Sequence, residues 1–408
     1  VASLGAASLL AASAQGQPPD APAAGTAEPL GRVASLPSIG EHAVWVADVI
    51  LGHSLLFDGD TGEMLGTIDA GVTLSPKPPL YGEERGEFYS VDIDYSRGRR
   101  GDRIDYVTIY DASRLDAVGE VMLPTRTSES AASLAYAALL DGGRFLATFN
   151  QFPATSVSIV DLAERRFVEE IVTSGCAGIY PTGARSFAML CGDGSMLVVE
   201  LDARGAKRSL HETGHFFDVL EDPVMMAGGR LDRRWLFVSY AGRVYEIDFA
   251  QVDAPVIRSW WLSTESERSQ GWRPGGRQHV AVHEASGRLY VVFHQGGPGT
   301  HKDPGPEVWV FDASTRTRVD RFEMPNFTAT FLGDTLGLEE GGVLRLLLGT
   351  LLPDEGADTI AVTKDPAPLL FARNSRLGSV AVLDARSGEH LRDLTEVGLA
   401  GMRLEVPR

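Results

Sequence analysis

Arg288-Leu289-Tyr290-Val291-Val292-Phe293 and, after a Gly- and Pro-rich segment, Val308-Trp309-Val310-Phe311-Asp312 are the stretch on which the fold turns. Both runs are short, apolar and rich in β-branched or aromatic residues, as strands are. The second ends on an aspartate just before a turn. The same ending recurs at Leu55-Leu56-Phe57-Asp58, Val107-Thr108-Ile109-Tyr110-Asp111, Val157-Ser158-Ile159-Val160-Asp161, Leu197-Val198-Val199-Glu200-Leu201-Asp202, Val244-Tyr245-Glu246-Ile247-Asp248 and Val380-Ala381-Val382-Leu383-Asp384. Those seven aspartates are 53, 50, 41, 46, 64 and 72 residues apart. Periods of this size fit four-stranded propeller blades. The expected fold is therefore all-β, a seven-bladed β-propeller.

Feeder strands support this reading. Arg144-Phe145-Leu146-Ala147-Thr148-Phe149 and Trp235-Leu236-Phe237-Val238-Ser239-Tyr240 each precede a copy across a polar or Gly-containing turn. One sheet cannot bury both its faces, whereas seven packed radially can, and closing the ring protects their edges. The aspartates are expected to accept hydrogen bonds from turn N–H groups. One per blade is too dispersed for a metal site. A sandwich pair or a six-bladed ring are the rival folds, because the wide late spacings leave room for insertions. Phe331 to Glu355 reads as one.

Composition narrows the function classes. The chain has 408 residues, 44% hydrophobic, with 45 Gly and 22 Pro, so turns are frequent and long helices are not expected. A formal charge of −18 argues against binding nucleic acid or an anionic membrane. Residues 1–14 are small and apolar, and Ala12-Ser13-Ala14 makes an A-x-A cleavage pattern before Gln15. Residues 1–14 are expected to be the remainder of a signal peptide, against the plainer reading of an Ala-rich tail. Residues 15–31 are expected to form a linker or N-terminal arm, and 32–408 the propeller. Export implies the periplasm, where the two cysteines, Cys176 and Cys191, either pair across a hairpin or stay as buried thiols.

Complete catalytic motifs are missing from the sequence: it has no GxSxG elbow and no P-loop. His294 and His301 flank the loop HQGGPGTHKDPGPE, and Trp272-Arg273-Pro274-Gly275-Gly276 forms a rigid turn. Trp272, Arg273, His294 and His301 are candidate partner-contact residues, since long propeller loops carry recognition and Trp and Arg favour hot spots. Solvated histidines and a blade-packing Trp272 are the plainer readings. No metal ligand set and no catalytic residue is singled out. A self-contained hydrolase would need carboxylates converging on a cation, and the sequence reveals no such set.

Several of these segments, in order, resemble the heavy subunit of the quinoprotein amine dehydrogenases, whose propeller is YVTN/WD40-like. They are Gly25 to Pro37, Tyr95-Ser96-Arg97-Gly98 with Arg103-Ile104-Asp105-Tyr106, Cys176 to Ser195, Gly271 to His283, Arg288 to Ala313, and the last blade from PLLFARN to HLRDL. The resemblance covers about residues 25–330 and 358–398. It implies a Cys176–Cys191 disulfide hairpin. It also implies a heterotetramer of two heavy and two light chains that deaminates a primary amine to aldehyde and ammonia. The tryptophan tryptophylquinone and the catalytic groups lie on the light (beta) subunit in that family, and electrons pass to a small blue copper protein. The heavy chain carries no cofactor, holds the light chain and helps wall the substrate channel. HKDPGPEVWVFD is closer to the aromatic-amine branch than to the methylamine branch. Two departures stand out. The family's aromatic channel gate has no Phe here, so Ile50 or Leu51 takes its place, and the segment near residues 331–357 has no assigned role. A free-standing periplasmic binding propeller is the alternative, and it would need no light chain.

Overall fold

The computed structural model describes residues 35–36, 38–48, 52–69, 78–98, 100–129, 133–338, 342–352, 355–398 and 401–407. The expected signal peptide and linker lie outside the described residues, as do Ile50 and Leu51.

Among the described residues the strands form seven antiparallel sheets. Blade two runs Leu80–Gly82, Glu87–Tyr95, Arg103–Asp111, Ala117–Leu123, and blades three to seven repeat this inner-to-outer meander. Blade one is built differently. Its three outer strands are Ala43–Asp48, His53–Asp58 and Met64–Asp69, and its inner strand is the last of the chain, Gly401–Glu405. The two ends of the propeller are thereby stitched into one sheet.

The buried side chains fall into seven clusters, one for each pair of neighbouring blades. Trp45 meets Phe88 between blades one and two, and Tyr180 meets Phe237 between four and five. Leu236 and Val291 share the core between five and six, and Val308 and Leu370 that between six and seven. Val44 packs with Phe371 and Leu404 between seven and one. Since each cluster spans an interface and the seventh returns to blade one, the ring is closed. Every fully buried large apolar side chain contributes about 1.5–3 kcal/mol, so the stability sits between blades rather than within them.

All seven motif aspartates end the third strand of a blade or, for Asp202, directly follow it, and accept turn N–H groups, as expected. Asp312 Oδ1 accepts from the N–H of Ser314 (2.9 Å) and Thr315 (3.0 Å), and Asp161 Oδ1 from Ala163 and Glu164 (3.1 Å each). Asp58, Asp111, Asp202, Asp248 and Asp384 do the same. The Ser314 hydroxyl, which also donates to Asp312 Oδ1 (2.6 Å), and then the turn N–H groups hold the Asp312 carboxyl down at about 2.

Because the strands alternate, the two ends of the disc differ. One end collects the Asp turns and the short turns from first to second strand; it is the turn face. The other collects every second-to-third-strand hairpin and every blade-to-blade connection; it is the connector face. The wide late spacings resolve here without changing the blade count. The first extra length is a connection holding α1 (Glu265–Ser269) and the loop between Gln295 and Glu307. The second is the expected insertion before blade seven, which folds as two helices, α2 (Phe327–Thr335) and α3 (Val343–Leu351).

Candidate functional site

Topology puts the long, irregular segments on the connector face, and propeller recognition resides in such loops. The sequence-level candidates also lie there. Cys176 opens the inner strand of blade four and Cys191 closes the second; the two are register partners joined by a disulfide. Asp48 and His53, which flank Ile50 and Leu51 in sequence, pair with each other at the same end of blade one.

The blade-six candidates are brought together by a short strand, Trp272–Pro274, laid beside Phe293, His294 and Gln295. Trp272 is half-buried; its ring centre lies 5.4 Å from that of Trp309, and the Arg321 guanidinium sits 5.0 Å above it. Much of its surface is thus spent on packing within the blade. Arg273 is half-buried with its backbone paired to His294. His294 is buried, with Nε2 3.4 Å from Thr300 Oγ1. The His301 ring stacks on Tyr240 at 3.7 Å, and its carbonyl accepts the Gly276 N–H (3.1 Å). Behind it lies fully buried His279 with neither ring nitrogen hydrogen-bonded; burial, then the nearby His301, push it down to about 3. Burial also lowers His294 and His301, so this cluster is neutral at physiological pH.

Two further features were not foreseen from the sequence. A groove of about 570 Å³ opens between blades two and three, lined by Tyr95, Arg103, Arg126, Glu129 and Phe152. Arg103 holds it together. It grips both oxygens of Asp105 (2.8 Å each), reaches Glu129 (2.8 Å) and donates to the Thr127 carbonyl (2.7 Å). Tyr95 donates to Glu129 at 2.9 Å. Phe152 gives the groove an exposed apolar side chain, and Ile104, Met122 and Val172 are also exposed on blades two and three.

The second feature is the central channel, about 980 Å³, walled by the inner strands. Arg277, Lys302, Lys364, Arg403 and Glu405 line it. Burial lowers Arg403 to about 10 against the pull of Asp358, and raises Glu405 to about 7 against the pull of Lys364. Gln278 crosses between three blades. Its Nε2 donates to the carbonyls of Ile360 (3.0 Å) and Leu404 (2.8 Å), and its Oε1 accepts the Leu404 N–H (3.3 Å). One signal was available in the sequence: Arg403 and Glu405 stand two apart, with Leu404 and Val406 alternating, the mark of a strand with one wet face. Among the described residues, no group of three or more His, Cys, Asp and Glu is placed to hold a metal ion.

The sequence pattern of the family described as methylamine dehydrogenase heavy chain matches residues 44–329. The heavy chain of methylamine dehydrogenase from Methylorubrum extorquens is 26% identical over 350 residues, covering 84% of this chain and 76% of that one. That from Methylobacillus flagellatus is 26% identical across 97% of this chain and 95% of its own. Among solved structures, dihydro-heme d1 dehydrogenase NirN in complex with DHE aligns with a TM-score of 0.55 at 16% identity, over 93% of this chain and 79% of that one. The last likeness speaks for the fold alone.

Proposed function

Since the chain belongs to the methylamine dehydrogenase heavy chain family, we propose that it is the non-quinone subunit of a periplasmic amine dehydrogenase, seating a light chain on its connector face. The observation that carries this reading is the family match, which spans six blades, together with the asymmetry of the disc. The turn face is a ring of near-identical Asp turns. The connector face holds the groove, the histidine loop and the uncovered leucines of α3.

In this reading a tryptophan tryptophylquinone on the light chain would supply the redox chemistry, and a small blue copper protein would be the electron acceptor. This chain's own residues fit that division. Its two cysteines are used in one disulfide. Trp272 and Trp309 are packed together, with Trp309 fully buried under Arg318 and Arg321. The heavy chain would position the light chain, exclude water from the shared channel and, through Ile50 or Leu51, help wall it. Two heavy and two light chains form the expected assembly.

Co-expression with and without the neighbouring light-chain gene tests this. The complex should show quinone absorbance and oxidise a primary amine with an artificial electron acceptor, and the heavy chain alone should do neither. Turnover by the isolated chain, or failure of the two chains to co-purify, would overturn the reading. The ratio of kcat/KM for methylamine and 2-phenylethylamine tests the leaning towards aromatic amines that the His301–Asp312 stretch suggests.

A further inference from the structure

The hairpin of α2 and α3 is a built element with an uncovered apolar side. Asn326 fastens its two ends. Its Oδ1 accepts the Ala329 N–H (3.0 Å) at the start of α2, and its Nδ2 donates to the carbonyls of Gly349 (3.2 Å) and Leu352 (3.0 Å) at the end of α3. Phe327 roots α2 in the core between blades six and seven. Outward, α3 presents Val343 (76% exposed), Leu344 (56%), Leu347 (49%) and Leu351 (78%). At about 100° per residue these four fall within an arc of about 100°, the stripe by which a surface helix normally meets a core. Leu336, at the end of α2, is 64% exposed beside them in sequence.

We infer that this stripe is a clamp on the light chain, docking against an apolar surface of that small subunit; the inference rests on the proposal that the light chain sits on the connector face. Two observations choose this occupant over a second copy of the chain. The first is area. A helix of nine residues is about 14 Å long and about 10 Å wide, so its stripe offers roughly 140 Å². A stable interface needs about 800 Å² from each partner. The stripe is therefore too small to hold a dimer alone and must extend a larger contact. The second is continuity. The insertion returns to blade seven through Ala357, which exchanges both backbone hydrogen bonds with Gly305 (2.8 and 2.9 Å). Gly305 closes the histidine loop, and that loop stacks on Tyr240 beside the channel mouth. The histidine loop and the segment that follows the hairpin are thus joined along the proposed docking face. The family pattern ends at residue 329, just inside α2.

The test uses the full-length heavy chain and purified light chain in a titration, comparing wild type, a double variant Leu347→Glu with Leu351→Glu, and the control Leu391→Glu on the turn face. These positions are exposed, so thermal unfolding of the free chain should be unchanged. The double variant should bind the light chain about a hundredfold more weakly, roughly tenfold per leucine, and the control should bind like wild type. Hydrogen exchange on the unaltered proteins should show residues 343–351 slowed when the light chain is added. Equal affinity for the double variant, or no slowing, sinks the clamp and leaves the docking face standing. No binding by wild type sinks both. Self-association of the free chain that the double variant abolishes would assign the stripe to a second copy and overturn the inference.

Discussion

Replacing Gln278 with Leu tests whether ring closure depends on this one side chain. Gln278 belongs to blade six, yet its amide holds Ile360 of blade seven and Leu404 of the strand that completes blade one. It is buried, and its partners are backbone groups on the open inner edges of their strands. Leucine keeps most of the volume and removes all three hydrogen bonds. Each is worth about 1 kcal/mol net, and a buried group left unpaired costs about 1–3 kcal/mol. Channel water can reach some of the freed groups, which favours the lower end, so the loss should be about 2–3 kcal/mol. In a domain this large 1 kcal/mol moves the Tm by about 2 °C, and the expected fall is about 4–6 °C by calorimetry. Limited proteolysis should release the C-terminal strand sooner in the variant. Gln278→Glu should do at least as much damage above the carboxylate's pKa, because it turns an acceptor towards two carbonyl oxygens. A Tm within about 1 °C of wild type for both variants, with an unchanged cleavage pattern, would refute the argument that this amide locks the ring.

Three further outcomes follow from the same geometry. Changing Cys176 and Cys191 together to Ser should cost about 2–3 kcal/mol in urea unfolding, since the closed loop is 15 residues long; no change would mean that strand pairing alone fixes the hairpin. Glu405 is raised to about 7 by burial, so the native state holds its proton where the unfolded chain has lost it. Stability should therefore decline between about pH 4.5 and 7, by about 3 kcal/mol at most, and stay level above; Glu405→Gln should flatten that slope in urea titrations at pH 5 and 7.5. His279, His294 and His301 are lowered chiefly by burial, so their contribution is full above about pH 6.5 and is lost as pH falls towards the folded values. Hydrogen exchange in the Gly296–Pro306 loop, corrected for its intrinsic rate, should speed up at pH 5 relative to pH 7; equal protection would show that the loop does not rely on neutral histidines.

The fold was legible because its determinants are local. A third strand that must end in a tight turn needs an N–H acceptor at that point, and Asp58, Asp161 and Asp312 announce three blades without any knowledge of their neighbours. The cysteine hairpin was legible for the same reason. What did not show was whatever depends on distant segments meeting. Gln278 and Leu404 are 126 residues apart, and nothing around either discloses the other. The groove needs Tyr95, Glu129 and Phe152 from different strands around Arg103. Insertion 331–355 was visible as an interruption, but its length alone could not distinguish a loop from a helical hairpin. Asn326, the residue that ties the hairpin, lies just before it in the chain.

The two faces of the disc divide these requirements. On the turn face every blade solves the same problem, reversing direction between third and fourth strands, and every blade solves it with the same aspartate. Variation there would cost stability and gain nothing. On the connector face no common solution is demanded, because the blades are already held by seven interfacial cores and by the strand that closes blade one. A loop can lengthen there, or two helices can be inserted before blade seven, without disturbing a single core contact between the other blades. The fold thus confines change to the connector face, where the proposed light-chain seat lies. If a chain with its 331–355 hairpin shortened to a plain turn lost light-chain affinity while keeping its Tm, that division would hold at this insertion.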